Sequence, residues 1–260
     1  MTIGGGGFCA GARDEELERW IAGLLGAERP RVCLLPTASG DPEEQIARFR
    51  LSFRRLGCET SHLSLFRLGD HPVELREHLL AQDAIYVGGG SMLNLLALWR
   101  LHGLDRILEQ AWWRGILLAG VSAGSMCWFQ GGITKSRGAP RAARGLGLLP
   151  GSNCVHHGEA DRREAFRRAL REGTLPAGWG VDDGAALLWE GTEMVGAVSA
   201  RPGAGARRCG LRDGRVVETE LAARALLEAP APGPPVDAAL EELRQLRTTR
   251  RAYNARRPGA

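Results

Sequence analysis

The sequence predicts an α/β protein: a doubly wound, mostly parallel sheet flanked by helices, with extra edge strands in the second half. Short apolar runs alternate with helical patterns from about residue 14 to residue 129, the arrangement that parallel strands joined by crossover helices require. The 36 glycines among 260 residues exceed ordinary usage, and an α/β chain spends such residues on the turns between strands and helices. Beyond residue 180 strand-like runs follow one another without helices between them, which marks a mixed or antiparallel edge.

In chain order, a helix fits 14–25 and a strand 31–37. A helix fits 42–56, with Asp41 as its N-cap and Pro42 in its first turn. A strand follows at 60–65, a helix at 72–80, a strand at 84–88, and helices at 92–99 and 104–114. The run at 116–121 reads as a buried strand that turns into a helix over 123–129. A Gly/Arg loop is expected over 131–147 and a helix over 161–171, then strands at 185–189, 194–199 and 206–211. Four prolines between Ala229 and Pro235 exclude helix interior or central strand, so 229–235 reads as a linker. Leu240, Leu243 and Leu246 give the following segment an amphipathic helical spacing. The expected organisation is therefore an α/β domain over 1–228, the linker, and a basic C-terminal helix or tail over 236–260.

Composition removes several function classes. Hydrophobic residues at 44% and charged residues at 25% match ordinary globular proteins and exclude disordered, collagen-like or coiled-coil chains. Residues 115–134 carry no charge, but five glycines and a serine-rich centre identify a strand and turn rather than a membrane span. The start of the chain has neither a basic nor an apolar region of the kind a secretion signal needs. Six cysteines without any C-x-x-C point to buried free thiols in a reducing cytoplasm, and no metal or organic cofactor is expected. Six arginines and no acid between 244 and 260 leave a mildly acidic body with a basic tail. Such a tail reads first as a solvated helix end or a subunit contact, which leaves a homo-oligomer open; nucleic acid is not the expected partner.

The sharpest chemical signal is Gly120-Val121-Ser122-Ala123-Gly124, a G-x-S-x-G elbow between an apolar strand and a helix-compatible stretch. A strained turn there would lift the serine Oγ out of the sheet, and the helix start would offer amide donors. A serine nucleophile needs a base, and adjacent His156 and His157 are the downstream candidates. Residues 123–155 contain no Asp or Glu and no histidine follows 157, so the chain order serine, acid, histidine of α/β-hydrolases is excluded for this pair. Glu159, Asp161, Asp182 and Asp183 are the nearest downstream acids. Gly88-Gly89-Gly90-Ser91, after the strand at 84–88, is a candidate oxyanion loop because glycine lets N–H groups approach a reacting carbonyl. Glycines 4–7 with Ala10 also satisfy G-x-G-x-x-A, but no acid ends the next strand, so a dinucleotide site is not the favoured reading.

These motifs, together with Asn94 to Trp99, Leu149-Pro-Gly-Ser152, Cys154-Val-His156 and Asp182-Asp-Gly184, resemble peptidase E, the aspartyl dipeptidase family that includes the cyanophycinases. The resemblance covers roughly residues 1–215 and implies a class I glutamine amidotransferase-like fold and a serine peptidase with chain order serine, histidine, acid. By motif it implies Ser122 as nucleophile, His156 as base and Asp183 as orienting acid, with the amides of Gly89, Gly90 and Ala123 as the oxyanion hole. His157 would then only shape the pocket. Two positions depart from the family: Ser91 stands where Asn is common, and Lys135 replaces the acid of Thr-Asp-Ser. Ser91, Lys135, Arg137 and His157 are accordingly the candidate substrate-binding residues, with Lys135 and Arg137, Arg141 and Arg144 forming a cationic lid. The expected activity is hydrolysis of a small peptide or related amide, Asp-X dipeptides among them. Another serine hydrolase or acyl transferase, or a non-catalytic binding or regulatory homologue, is the alternative.

Overall fold

Short continuous apolar runs in the first half build a sheet buried on both faces. In the computed structural model, which describes residues 1–9, 15–70 and 73–226, this sheet has eight strands. The chain enters it at β1 (Thr2–Ile3), then runs through α1 (Glu16–Gly23), β2 (Arg31–Leu35), α2 (Glu43–Arg55), β3 (Glu59–His62), α3 (Leu75–Leu80), β4 (Ala84–Val87), α4 (Met92–His102), α5 (Leu104–Trp113) and β5 (Leu117–Val121). Strands β3, β2, β4, β5 and β1 pair in that order and are all parallel. Val32, Leu34 and Tyr86 face α1 and α2, where Phe49, Phe53 and Phe8 close around Tyr86 with ring centroids 5.2 to 6.3 Å from it. Cys33, Leu35, Ile85 and Val87 face the other way, against Leu79, Leu95, Trp99 and Leu108 of α3, α4 and α5. Each such buried side chain contributes about 1.5–3 kcal/mol relative to exposure, so the alternation fixes the register of the sheet.

After β5 a single turn, α6 (Ala123–Met126), leads into a second sheet. It comprises β6 (Phe129–Thr134), β7 (Arg141–Arg144), β8 (Leu149–Val155), β9 (Gly178–Val181), β12 (Ala206–Arg212) and β13 (Arg215–Glu220), in the order β13-β12-β9-β8-β6-β7. Helix α7 (Ala160–Arg171) covers it with Phe166, Ala169 and Leu170. Strands β10 (Ala185–Glu190), β11 (Glu193–Ser199) and β14 (Ala223–Ala225) return to the first sheet as a mixed edge: β10 is antiparallel to β1 and β11, and β11 is parallel to β14, whereas the strand expected at 206–211 pairs into the second sheet instead.

Three expectations need correction. The helix expected over 123–129 is one turn, because Phe129 already pairs into β6. The expected 131–147 loop is largely the antiparallel β6–β7 hairpin. Asp41 does not cap α2: Pro42 holds the cap position, while the Asp41 carboxylate accepts from Ser64 Oγ and the Phe66 amide. The linker at 229–235 and the helix at 236–260 lie outside the described residues. Among those described, no helix is long and apolar enough to cross a membrane; the uncharged stretch at 115–134 forms β5, α6 and β6. Cys33, Cys58, Cys127, Cys154 and Cys209 are free and buried.

Candidate active site

The serine of the G-x-S-x-G motif sits where β5 breaks, at the carboxyl edge of the sheet where open α/β folds place their ligands. Ser122 has φ 54° and ψ −112°, a backbone conformation that L-residues rarely adopt. The flanking glycines are dictated by contact. A methyl on Gly120 would overlap the Gly124 carbonyl, and one on Gly124 would overlap the Val87 carbonyl at the end of β4. The Ser122 amide donates to Ile3 O at 3.1 Å and its carbonyl accepts from Ser125 and Met126, so the turn is held from both sides.

His156 follows β8 with φ 50°, which turns its ring toward the elbow. Its Nε2 lies 2.9 Å from Ser122 Oγ, and its Nδ1 lies 2.5 Å from Oδ1 of Asp183, in the turn between β9 and β10. The hydrogen bond from His156 is the largest influence holding the Asp183 carboxyl below the usual carboxylate range; partial burial opposes it, and the charges of His156, Arg201 and Arg162 assist. An ionised Asp183 only accepts, so Nδ1 carries the proton and Nε2 is left to accept from the serine hydroxyl.

The other three acids are engaged elsewhere. Asp182 Oδ2 accepts from Arg207 at 2.9 Å and from the Gly205 amide at 3.2 Å. Glu159 and Asp161 both take Lys135, at 2.7 and 2.9 Å.

The glycine loop after β4 lies against the elbow: a Cβ on Gly89 would be 3.9 Å from Ser122 Oγ. Gly90 has φ 138°, and a side chain there would overlap Ala38 O. The amides of Gly89, Gly90 and Ala123 have no hydrogen-bond acceptor among the described residues, so three donors stand unused beside the serine. A cleft of 250 Å³ opens over Ser122, walled by Gly90, Ser91, Lys135 and Arg162.

Two of the candidate substrate-binding residues do not reach this cleft. His157 is fully buried in the second sheet, its ring over Gly180 and edge-on to Phe166 with centroids 6.2 Å apart, because adjacent residues at the strand end diverge. Arg137 is exposed at the tip of the β6–β7 hairpin, and Arg141 and Arg144 lie exposed along β7, so the four cations form no lid. Lys135 does line the cleft, but its ammonium is bound to Glu159 and Asp161, whose hydrogen bonds hold its pKa above the ordinary lysine value. Ser91 caps α4 through Oγ, which accepts from the Asn94 amide at 3.3 Å.

Sequence reasoning missed two contributors. Arg162, nine-tenths buried, reaches the cleft while donating to Glu159 and to Ile133 O. Gly5 is the other. A methyl on it would overlap Asp183 Oδ1 and stand 2.7 Å from His156 Cε1, so only glycine leaves room for the histidine–aspartate contact. Gly5 O accepts from the Gly184 amide at 2.8 Å, which keeps it there. Gly5→Ala is therefore expected to abolish the far-downfield proton NMR signal of a His156 Nδ1–H bound to a carboxylate. An unchanged signal in that variant would show that the backbone absorbs the methyl and that Gly5 does not set the contact.

The chain matches the family model for Peptidase family S51 over residues 1–196. It is 42% identical over 222 residues to the uncharacterized peptidase YgaJ of Bacillus subtilis (strain 168), an alignment covering 85% of this chain and 96% of that protein. Among solved structures it is similar to a peptidase from an acI-B1 Actinobacterium, with TM-score 0.62 and 21% identity over 85% of this chain and 92% of the other. A putative peptidase E protein from Listeria monocytogenes EGD-e aligns with TM-score 0.51 and 18% identity over 70% of this chain and 92% of that one. At such identities the two structures speak for the fold alone.

Proposed function

The chain belongs to peptidase family S51, and on that footing we propose that this peptidase is a serine enzyme of the peptidase E kind, working through Ser122, His156 and Asp183 on small peptides with an acidic residue. One observation carries the reading: an unbroken hydrogen-bonded row from Ser122 Oγ through both ring nitrogens of His156 to Asp183 Oδ1. In the forward step Ser122 Oγ attacks the scissile carbonyl carbon and its proton passes to His156 Nε2. Asp183 holds the imidazolium in place, and the amides of Gly89 or Gly90 and of Ala123 receive the oxyanion. His156 then gives the proton to the leaving amine nitrogen, the C–N bond breaks, and an acyl-enzyme remains. Water attacks the ester carbonyl while His156 takes one of its protons; that proton returns to Ser122 Oγ as the acid product leaves.

The substrate class rests on the charge beside the serine. Arg162 brings a nearly buried cation to the cleft, and a buried guanidinium is suited to grip a carboxylate. Lys135 enters this reading as a screen: it neutralises Glu159 and Asp161, which would otherwise repel an acidic substrate from the cleft. Lys135→Met is therefore expected to lower kcat/KM for acidic substrates on the order of tenfold relative to neutral ones, chiefly through KM. An unchanged substrate ranking would remove Lys135 from the specificity determinants.

Assaying the purified protein against a dipeptide panel that includes Asp-X, β-aspartyl-X and neutral X-X members tests the proposal. Cleavage confined to the aspartyl members is the expected result. Equal turnover of neutral dipeptides would overturn the substrate class, and labelling of Ser122 without turnover of any peptide would favour acyl transfer to another acceptor.

A further inference from the structure

A second group of reactive side chains lies inside the second sheet, away from the cleft. His157, Cys209 on β12 and Glu218 on β13 each direct one potential ligand atom inward, and the three atoms lie within 4.8 Å of one another. His157 and Cys209 are fully buried, and the Glu218 side chain is 15% exposed. Nothing in the peptidase chemistry uses them.

The group is poorly explained as ordinary packing. His157 Nε2 stands 3.4 Å from Glu218 Oε2, longer than a good N–H···O hydrogen bond, and Nδ1 is buried without a hydrogen-bond partner. Cys209 Sγ makes a weak contact with Arg207 O at 3.8 Å and takes a backbone hydrogen bond from Gly180. The 3.4 Å separation fits a different geometry: nitrogen and oxygen ligands at about 2.0–2.2 Å from a tetrahedral zinc ion lie roughly 3.4 Å apart. The Cys209 sulfur lies within 4.8 Å of both the nitrogen and the oxygen.

We propose that His157, Cys209 and Glu218 form a seat for one divalent transition-metal ion of zinc's chemical type, with water in the fourth position. Imidazole nitrogen and thiolate favour zinc-type ions over hard cations such as Mg²⁺ or Ca²⁺, and a carboxylate oxygen is a donor that zinc also accepts. Binding exchanges the Cys209 thiol proton, released to solvent, for an S–metal bond. Three cations stand close: Arg208 donates to Gly178 O at 2.8 Å and lies over the Trp179 ring, and the other two are paired with acids. Arg167 donates to Glu218 Oε1 at 2.7 Å, leaving Oε2 for the ion, and Arg207 is held by Asp182 at 2.9 Å and Glu220 at 3.3 Å. The ion ties β12 and β13 to the residue that directly follows His156, so it stiffens the strand end that presents the His156 ring. The site stands or falls independently of the substrate reading.

Cobalt(II) titration of chelator-treated full-length protein tests it, with absorbance and thermal midpoint as readouts. Thiolate-to-cobalt charge-transfer absorption saturating at one equivalent, displaced by Zn²⁺, is the expected result, together with a Zn²⁺-dependent rise in the midpoint. Cys209→Ser should lose the band, Glu218→Gln should weaken the apparent affinity on the order of tenfold or more, and Ser122→Ala should change neither. Absence of a thiolate band in the wild type, or its survival in Cys209→Ser, would overturn the assignment. Either wild-type outcome is readable even where a variant fails to fold.

Discussion

Ser122→Ala is expected to lower kcat/KM for the best peptide substrate by more than about 10³-fold, leaving only what substrate binding and the oxyanion amides supply. The fold should survive, because among the described residues the side-chain hydrogen bond removed is the one to His156, and alanine is no more strained than serine at φ 54°. Circular dichroism and the thermal midpoint separate loss of chemistry from loss of structure. A variant that keeps activity within about tenfold of wild type would remove Ser122 as nucleophile.

Asp183→Asn is the second large effect, expected at about 10³–10⁴-fold in kcat with KM little changed. An amide has no net charge to stabilise the imidazolium and can donate to Nδ1, which shifts the ring proton to Nε2, where it blocks acceptance from Ser122. The matched control is Asp182→Asn. It removes the charge of the ion pair with Arg207 while its amide oxygen can still accept from Arg207 and the Gly205 amide, so it should cost stability and spare kcat. Equal rates for Asp183→Asn and wild type would leave the histidine without an orienting acid. Because the folded Asp183 carboxyl titrates below its ordinary range, the stability it contributes is present above that ordinary range and is lost as pH falls through the depressed value.

Four of the five parallel strands, β2 to β5, were legible because pairs such as Val32 with Leu34 and Cys33 with Leu35 must each bury against a helix, and a continuous apolar run satisfies both faces, whereas the two-residue β1 is too short to read. Of the second sheet, the sequence showed only β12, as the strand at 206–211. β8 (Leu149–Val155) and β9 (Gly178–Val181) include Pro150, Gly151, Gly178 and Gly180, residues that weaken any strand signal, and pairing with distant neighbours gives them their structure. At the site, Ser122 stood out through its motif, and the acid-free interval left His156 or His157 as base with four downstream carboxylates as candidate acids; the resemblance to peptidase E singled out His156 and Asp183. Gly5 left no chemical signal, since its part is to be absent as a side chain. The ion pairs of Lys135 were also hidden: Glu159 and Asp161 reach it across 24 and 26 positions of chain. His157, Cys209 and Glu218, spread over 61 positions, share no local pattern at all.

The central claim, that Ser122 is an activated nucleophile served by His156, is tested most directly by a fluorophosphonate probe with the adduct mapped by peptide mass spectrometry. The account predicts one adduct per chain on Ser122, absent in Ser122→Ala and slowed by orders of magnitude in His156→Ala. A wild-type protein that stays unlabelled, or one labelled on a residue other than Ser122, would contradict it.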